Sequence, residues 1–569
     1  NNINFNFNLQ KDNYLFNEIN FRTEKVDFIS KKLKIKKKKN VFLIDALVAN
    51  DQSSLNPNIL KLLNLSFENI ILNDAKFKTN NKFSLEIDKK FKVKNIILNS
   101  DIEITKLKYN KLESIDNYFL DIDNLILLNN HKLNLKYKNN NLSINGEGEI
   151  QLNKNEVDQI KYLINKKNKD LTITSELFLK NIILNQKDFL KKFFPRTNKK
   201  ISIKNQKLKI NYNNNNLVFS GSGKLKIDKD FEDIDYYIEK KENKISFKTN
   251  LNITNTNFKI DNINFKKKDD SKMSLKIDGE IKNNKHLNIN NFVISEGSNY
   301  IKIKNLSLNK FNQIIKIGQA NFNYLDTENK KNNYNVKKVK GYNYLIYGKS
   351  FNANSLISNL LDYDDKKENN FFENNLNIDL NLEEVYIDKR YFVNELIGKL
   401  KINDNKVIEA DVLAYFNNSQ SINFTIRAND QGEKITTLFS SKPKPLVERY
   451  KFIKGFEGGK DGYLDFYSSK KNGVSTSRLV IDNFKVKEIP ALAKLLALSS
   501  LQGIADLLTG EGIRFTDFEM DFTNENKVMK IQELYAIGPA ISILLEGYIE
   551  KDKLISLRGT LVPATTINR

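Results

Sequence analysis

Two glycine runs, two histidines, two acidic pairs and one lysine run are the places where this chain offers side chains for chemistry. Gly221-Ser222-Gly223-Lys224 is shaped like a phosphate loop, but it lacks the upstream glycine and has Leu225 where a magnesium-binding hydroxyl belongs. Gly455-Phe456-Glu457-Gly458-Gly459-Lys460 is followed by Asp461, an acid that repels phosphate, so both runs read as turns. His131 follows Asn129-Asn130, and His286 sits in a similar Asn/Lys stretch. Both are expected to be solvated loop residues and not general bases. The carboxylates of Glu383-Glu384 and of Asp364-Asp365 are adjacent in sequence, and on a strand neighbours point to opposite faces, so neither pair makes an acid–base couple. Lys36-Lys37-Lys38-Lys39 reads as a solvated turn, with contact to an anionic lipid surface as the functional alternative.

Composition closes further routes. The chain has 569 residues, no cysteine and only two histidines, which removes disulfide scaffolds, Cys-ligated metals, thiol nucleophiles and multi-histidine sites. No catalytic residue, cofactor site or metal site is assigned, and the chain is expected not to be an enzyme. Lys and Arg number 92 against 69 Asp and Glu, a net charge of +23. The excess is spread along the chain as Lys in company with Asn and Ile. A/T-rich coding accounts for it as well as a functional basic surface does. Nucleic-acid binding would call for aromatic residues interleaved with basic ones in a recognisable fold, which Tyr236-Tyr237 and Phe193-Phe194 do not supply. The 37 Phe and 23 Tyr provide enough ring surface for ordered cores. No stretch has the roughly 18 uncharged apolar residues that cross a bilayer as a helix. The opening Asn1-Asn2-Ile3-Asn4 has neither an initiator methionine nor a secretory leader, so the expectation is a segment of a longer protein whose membrane anchor lies outside this chain.

The elements that carry these residues are read from hydrophobic period. Strict alternation dominates, as in Leu133-Asn134-Leu135-Lys136-Tyr137 and Leu208-Lys209-Ile210-Asn211-Tyr212, and it marks strands with one buried face. Asn clusters such as 138–141 and 213–216 separate the runs as hairpin turns, because Asn tolerates left-handed backbone angles. A looser echo joins Leu142-Ser143-Ile144-Asn145-Gly146, Leu217-Val218-Phe219-Ser220-Gly221, Leu275-Lys276-Ile277-Asp278-Gly279 and Ile543-Leu544-Leu545-Glu546-Gly547. A glycine in mid-strand weakens it, so its recurrence points to bends or bulges that curve a sheet. Convergent strand composition is the plainer explanation of the echo. Helical spacing is read at Lys154–Lys167, at Ser355–Leu361, and most clearly from Pro490 to about residue 509, stopped by Gly510-Glu511-Gly512. Ala, Val and Gly become commoner near residue 385. Two regions are expected: 1–385, a β-rich region of repeated hairpins, and 386–569.

From Pro490 the residues form a recognisable pattern: Pro490, Leu495, Leu496, Leu501, Gly503, Leu507, Gly510, Gly512 and Phe515, then Gly538-Pro539, Gly547, Gly559 and Pro563, in that order. Phe456-Glu457-Gly458-Gly459 and Ile481-Asp482-Asn483-Phe484 extend it upstream. This ordered set, over about residues 450–564, resembles the C-terminal region of AsmA-like (AsmA/TamB-related) proteins, most closely the large YhdP-type members. Over 1–385 the likeness is one of architecture alone. The resemblance implies a periplasmic protein of a Gram-negative cell envelope, anchored in the inner membrane. It implies a mainly β fold, a long curved antiparallel sheet forming an open, elongated hydrophobic groove. It also implies a part in moving phospholipid between inner and outer membranes and in maintaining the outer-membrane barrier. The expected partner is therefore phospholipid or another acyl-chain lipid. The residues themselves fit that logic, since a groove of Ile, Leu, Val and Phe shelters acyl methylenes while polar residues face water. Groove candidates are Leu142, Ile144, Leu217, Phe219, Leu275, Ile277, Ile543, Leu545 and Ile549, with ordinary sandwich core as the plain alternative. A structural or adhesive β-rich envelope protein remains the rival to lipid transport.

Overall fold

A computed structural model describes residues 2–22, 27–54, 70–111, 122–154, 156–185, 188–197, 200–282, 286–360, 372–404, 406–451, 453–488, 505, 509–526, 528–550 and 553–563. The chain is mainly β, as the alternation requires. Its contacts divide it into two units, one of residues 1–260 and 267–297 and the other of residues 261–266 and 298–569. The compositional shift near residue 385 falls inside the strand Leu376–Tyr386, away from this division.

In the first unit long strands follow one another as hairpins, and every pairing described there is antiparallel. The Asn clusters make the turns. Asn139 and Asn140 have φ of 46° and 65°, and Asn214 and Asn215 have 39° and 75°. Two consecutive left-handed residues form the two-residue turn whose twist matches that of flanking strands. The second unit is antiparallel as well, with one exception among the described strands. Asn343–Asn352 and Leu376–Tyr386 run parallel, and the crossover between them begins with the helix Asn354–Leu360. That helix is the one expected from Ser355 onward. A second short helix, Lys444–Tyr450, has Pro443 at its N-cap and buries Pro445, Leu446 and Val447.

The helix expected over Lys154–Lys167 is instead a strand, Glu156–Lys167, paired on both sides. Ile160, Tyr162 and Ile164 stand at every second place there and face the same side as Ile144 and Gly146. Val157 and Leu163, which completed the helical spacing, belong to the opposite side of the strand. The helix expected from Pro490 to about residue 509, with Pro490, Leu495, Leu496, Leu501, Gly503 and Leu507, lies outside the described residues apart from isolated positions.

A large buried cluster belongs to the second unit. It gathers Val447, Phe456, Ile481, Phe484, Ile513 and Phe515 with neighbours down to Ile541. The first unit has a smaller one around Ile126, Leu152, Leu179 and Ile182.

Candidate functional site

Directly paired residues of neighbouring strands lie on the same face of a sheet, so the register shows which side chains share a surface. One row of the first unit runs Leu135, Ile144, Ile164, Ile173, Tyr212 and Leu217. The next runs from Gly146 through Tyr162, Ser175, Ile210 and Phe219 to Ile238 and Phe247. Two more rows carry Ile277, beside Thr249 and Phe292, and Leu275, beside Leu251 and Ile294. Leu142, Ile144, Leu217, Phe219, Leu275 and Ile277 therefore all lie on a single face. Leu142 and Leu275 are buried, whereas Ile144, Leu217, Phe219 and Ile277 are only half-buried. This apolar face is partly open to solvent.

The opposite face is polar and is laced across strands. Lys161 pairs with Glu147 at 3.0 Å, Lys209 with Glu176 at 3.0 Å and Lys224 with Asp233 at 2.5 Å, each between directly opposed residues. All are well exposed, so they support register and solubility more than stability.

The mid-strand glycines have a shared local cause. Gly146 and Gly221 lie under tyrosine rings from the next strand: a Cβ on either would meet the Cζ of Tyr162 or Tyr236 at 2.6 Å. Gly148 lies under His131 of the preceding strand, and Gly223 under Gln206. His131 and Gln206 each follow an asparagine in the left-handed region, Asn130 at φ 52° and Asn205 at 51°. At both places the ladder slips, between Asn129 and Lys132 and between Lys204 and Lys207. Each is thus a β-bulge, as the glycines led one to expect, but the bulge sits on the strand opposite the glycine. Positions 130–148 and 205–223 repeat this arrangement in the same register, a longer repeat than the glycine strand alone displays. Gly221–Lys224 therefore belong to the strand Asn216–Lys226 and not to a turn or phosphate loop.

His131, expected in a solvated turn, is 3% exposed within the strand Leu125–Lys138. Its Nε2 lies 3.0 Å from the Glu149 carbonyl oxygen and its Nδ1 3.2 Å from the Tyr162 hydroxyl. A carbonyl only accepts, so Nε2 carries the proton and Nδ1 accepts from the tyrosine: the neutral ring satisfies both contacts. Burial pushes the imidazole pKa down, outweighing the raising effects of the Glu149 carbonyl and its carboxylate. Burial also pushes Tyr162 up to about 12. A histidine neutral when folded and protonated when unfolded contributes stability above its ordinary pKa of about 6.5 and loses it as pH falls toward the depressed folded value. Urea midpoints are therefore expected to drop between pH 7 and pH 5, and His131→Gln should flatten that part of the profile. An equal slope in both proteins would remove His131 as the cause. His286, by contrast, is exposed at the start of its strand, and Lys36–Lys39 are exposed at a strand end and turn.

In the second unit Ile543, Leu545 and Ile549 alternate along one face of Ile541–Glu550, all half-buried. Ile543 and Ile549 pack against the large buried cluster. The described residues of the C-terminal pattern are structural in place. Phe515 is 3% exposed and stacks on Phe484, with ring centroids 5.4 Å apart. Gly512 has φ 91° and passes so close to the Val486 carbonyl that a Cβ would meet its oxygen at 2.6 Å. Gly510, Gly538 and Pro539 lie in turns, Gly547 and Gly559 within the last two strands, and Pro563 ends the last one.

Two open hollows have mixed linings, one with Lys340, Asn343, Asn377 and Lys401 beside Tyr342, Ile402 and Ile408, the other with Lys200, Lys204 and Lys226 beside Phe231. Among the described residues no group of three or more His, Asp or Glu could hold a metal ion, and no helix is long and apolar enough to cross a membrane. Among the described residues, the apolar face of the first unit is a surface whose chemistry suits contact with hydrocarbon. No protein-family model matches the chain, and no curated protein matches it.

Proposed function

We propose that this chain holds acyl-chain lipids along the apolar face of its sheet and lets them pass between membranes of the cell envelope without chemistry. The observation that carries this reading is the half-burial of Ile144, Leu217, Phe219 and Ile277 in rows that run from strand to strand on one face. An exposed acyl methylene costs about 0.8 kcal/mol in water. A row of branched and aromatic side chains removes much of that cost, and the charged opposite face keeps the protein in solution. Similar shallow contacts repeated from strand to strand avoid a single tight site, which is what sliding demands. The resemblance of residues 450–564 to AsmA-like proteins agrees with this reading. On that resemblance the expected location is the periplasm and the expected cargo is phospholipid.

The test is mass spectrometry of lipids that co-purify with the full chain prepared without detergent. Phospholipid at about one or more molecules per chain is the expected result. A lipid-free protein that also fails to take up a fluorescent acyl probe would overturn the reading in favour of a structural or adhesive envelope protein.

A further inference from the structure

We propose that the hairpin tip at residues 88–93, together with the lysine turn beside it, docks the protein on an anionic lipid surface, with the Phe91 ring entering the bilayer interface. The tip joins the strands Ile70–Asp88 and Val93–Asn110, and each of these is also paired with a strand on its other side. Phe91 is 84% exposed and has φ of 58°. A bulky side chain is disfavoured at such an angle, and a ring left in water gains nothing from packing.

The chain contains its own controls for this turn. The Asp88 carboxylate accepts from the backbone N–H groups of Lys90 and Lys92 at 2.9 and 3.0 Å. The Asp88 N–H donates to the Lys92 carbonyl, and the Phe91 N–H to the Asp88 carbonyl. The same four bonds close the turns that begin at Asn309, Asp326 and Asn429. There the left-handed fourth residue is Asn312, Asn329 or Gly432, types that tolerate the angle. Among the described residues Phe91 is the only apolar side chain in that region of φ, and every other non-glycine one is Asn, Asp, Glu or Lys. A partner that takes up apolar surface supplies the gain that packing within the chain does not.

The charge around the ring identifies that partner. Lys89, Lys90 and Lys92 flank it and are exposed. Val41 is paired with Asp88, so the exposed run Lys36-Lys37-Lys38-Lys39 lies directly alongside. None of these lysines has a carboxylate partner among the described ion pairs. The two acids of the tip are engaged, Asp88 with its own turn and with Lys94 at 3.1 Å, Glu86 with the Asn95 amide at 2.6 Å. Lys11 and Asp12 of the next turn cancel. An aromatic ring collared by cations matches the membrane–water interface, where rings settle at headgroup level and each lysine near an anionic surface adds roughly fivefold in affinity. Val93, 50% exposed, widens the apolar tip into one that a bilayer accommodates and a phosphate backbone does not. This contact stands without the lipid-holding face.

The chain has no tryptophan, so Phe91→Trp in the full chain places a single reporter at the tip. Vesicles of equal parts phosphatidylglycerol and phosphatidylcholine should shift its emission to the blue and shield it from acrylamide, and vesicles of phosphatidylcholine alone should do neither. Phe311→Trp, at a ring 70% exposed with Lys310 over it, should show no shift. In vesicle sedimentation Lys89→Ser, Lys90→Ser and Lys92→Ser together should weaken binding roughly 100-fold, and Phe91→Asn, which suits the left-handed angle, roughly tenfold. Both variants should keep the urea midpoint and the capture of a fluorescent acyl probe, which separates this contact from the acyl-chain reading. No binding to the anionic vesicles, binding with unmoved emission at position 91, equal binding to neutral vesicles, or an equal shift with single-stranded DNA would each overturn the proposal.

Discussion

Phe484→Ala is expected to destabilise the second unit by about 3–5 kcal/mol, as full truncation of a core phenylalanine does. The ring is 1% exposed and is the middle member of a stack. Phe456 lies 5.1 Å away on one side and Phe515 5.4 Å on the other, both within about 21° of parallel, and Phe518 meets it edge-on at 6.2 Å. Three strands that are far apart in sequence place these rings: Phe456–Gly458, Val474–Val486 and Ile513–Glu525. Phe484 follows Asn483, whose φ of 45° departs from strand geometry just where the pairing of Asp482 with Asp517 passes to that of Phe484 with Phe515. Removing the ring leaves a cavity among aromatic neighbours fixed by backbone from both sides, and such a site collapses poorly. Urea or thermal unfolding of the variant measures the effect, with Phe311→Ala, at a ring 70% exposed, as the control that should shift the midpoint little. A Phe484→Ala midpoint equal to that of the control would mean that the stack does not hold this unit together.

The same stack shows how far the sequence can be read. Phe456-Glu457-Gly458-Gly459 and Ile481-Asp482-Asn483-Phe484 stand out as pieces of one ordered pattern, yet nothing in their spacing says that Phe456 and Phe484 touch; that depends on the pairing of distant strands. Alternation was enough to read Leu133–Tyr137 and Leu208–Tyr212 as strands, and the Asn clusters after them as turns, because side-chain period and left-handed tolerance are local properties. Bulges are local too, but a single Asn in a strand looks the same as one that opens a turn. For that reason Asn130 pointed to a loop and His131 to solvent, whereas the ladder continues past both and buries the imidazole over Gly148. The fuller repeat of 130–148 in 205–223 was the available signal, since a true loop would not keep Asn, a polar residue and two glycines in one register. At Lys154–Lys167 two periods fit the same apolar residues, and only pairing on both flanks decides between them. The parallel crossover after Asn352 has no local mark at all. Nor does the half-burial of Ile144 and Phe219: alternation identifies a face that avoids water, not whether a second layer covers it.

That open face gives the second large effect. Phe219→Asp is expected to weaken capture of a fluorescent acyl-chain probe by roughly 50-fold, while Ser220→Asp leaves it unchanged. The two residues are neighbours on the strand Asn216–Lys226 and so point to opposite sides. Phe219 lies between Ile210 and Ile238 in the apolar row, and Ser220 between Lys209 and Tyr237 on the polar side. A hydrated carboxylate at 219 would deny a dry wall to about three methylenes, and at about 0.8 kcal/mol each the loss is about 2.4 kcal/mol, or roughly 50-fold in affinity. Phe219 is half-buried, so the new charge keeps its water and the fold should persist. Leu142→Asp is the instructive contrast, for a side chain 4% exposed leaves a carboxylate no solvent, and there loss of folding should precede any reading of affinity. Probe titration alongside urea unfolding separates the two kinds of failure. Equal weakening by Phe219→Asp and Ser220→Asp would mean that charge alone governs capture and that the lipid does not lie on this face. Retained affinity in a folded Phe219→Asp protein would move the binding surface elsewhere. A selective loss at 219, repeated by Ile277→Asp three strands away, would establish that hydrocarbon is held on one face by residues that successive hairpins contribute.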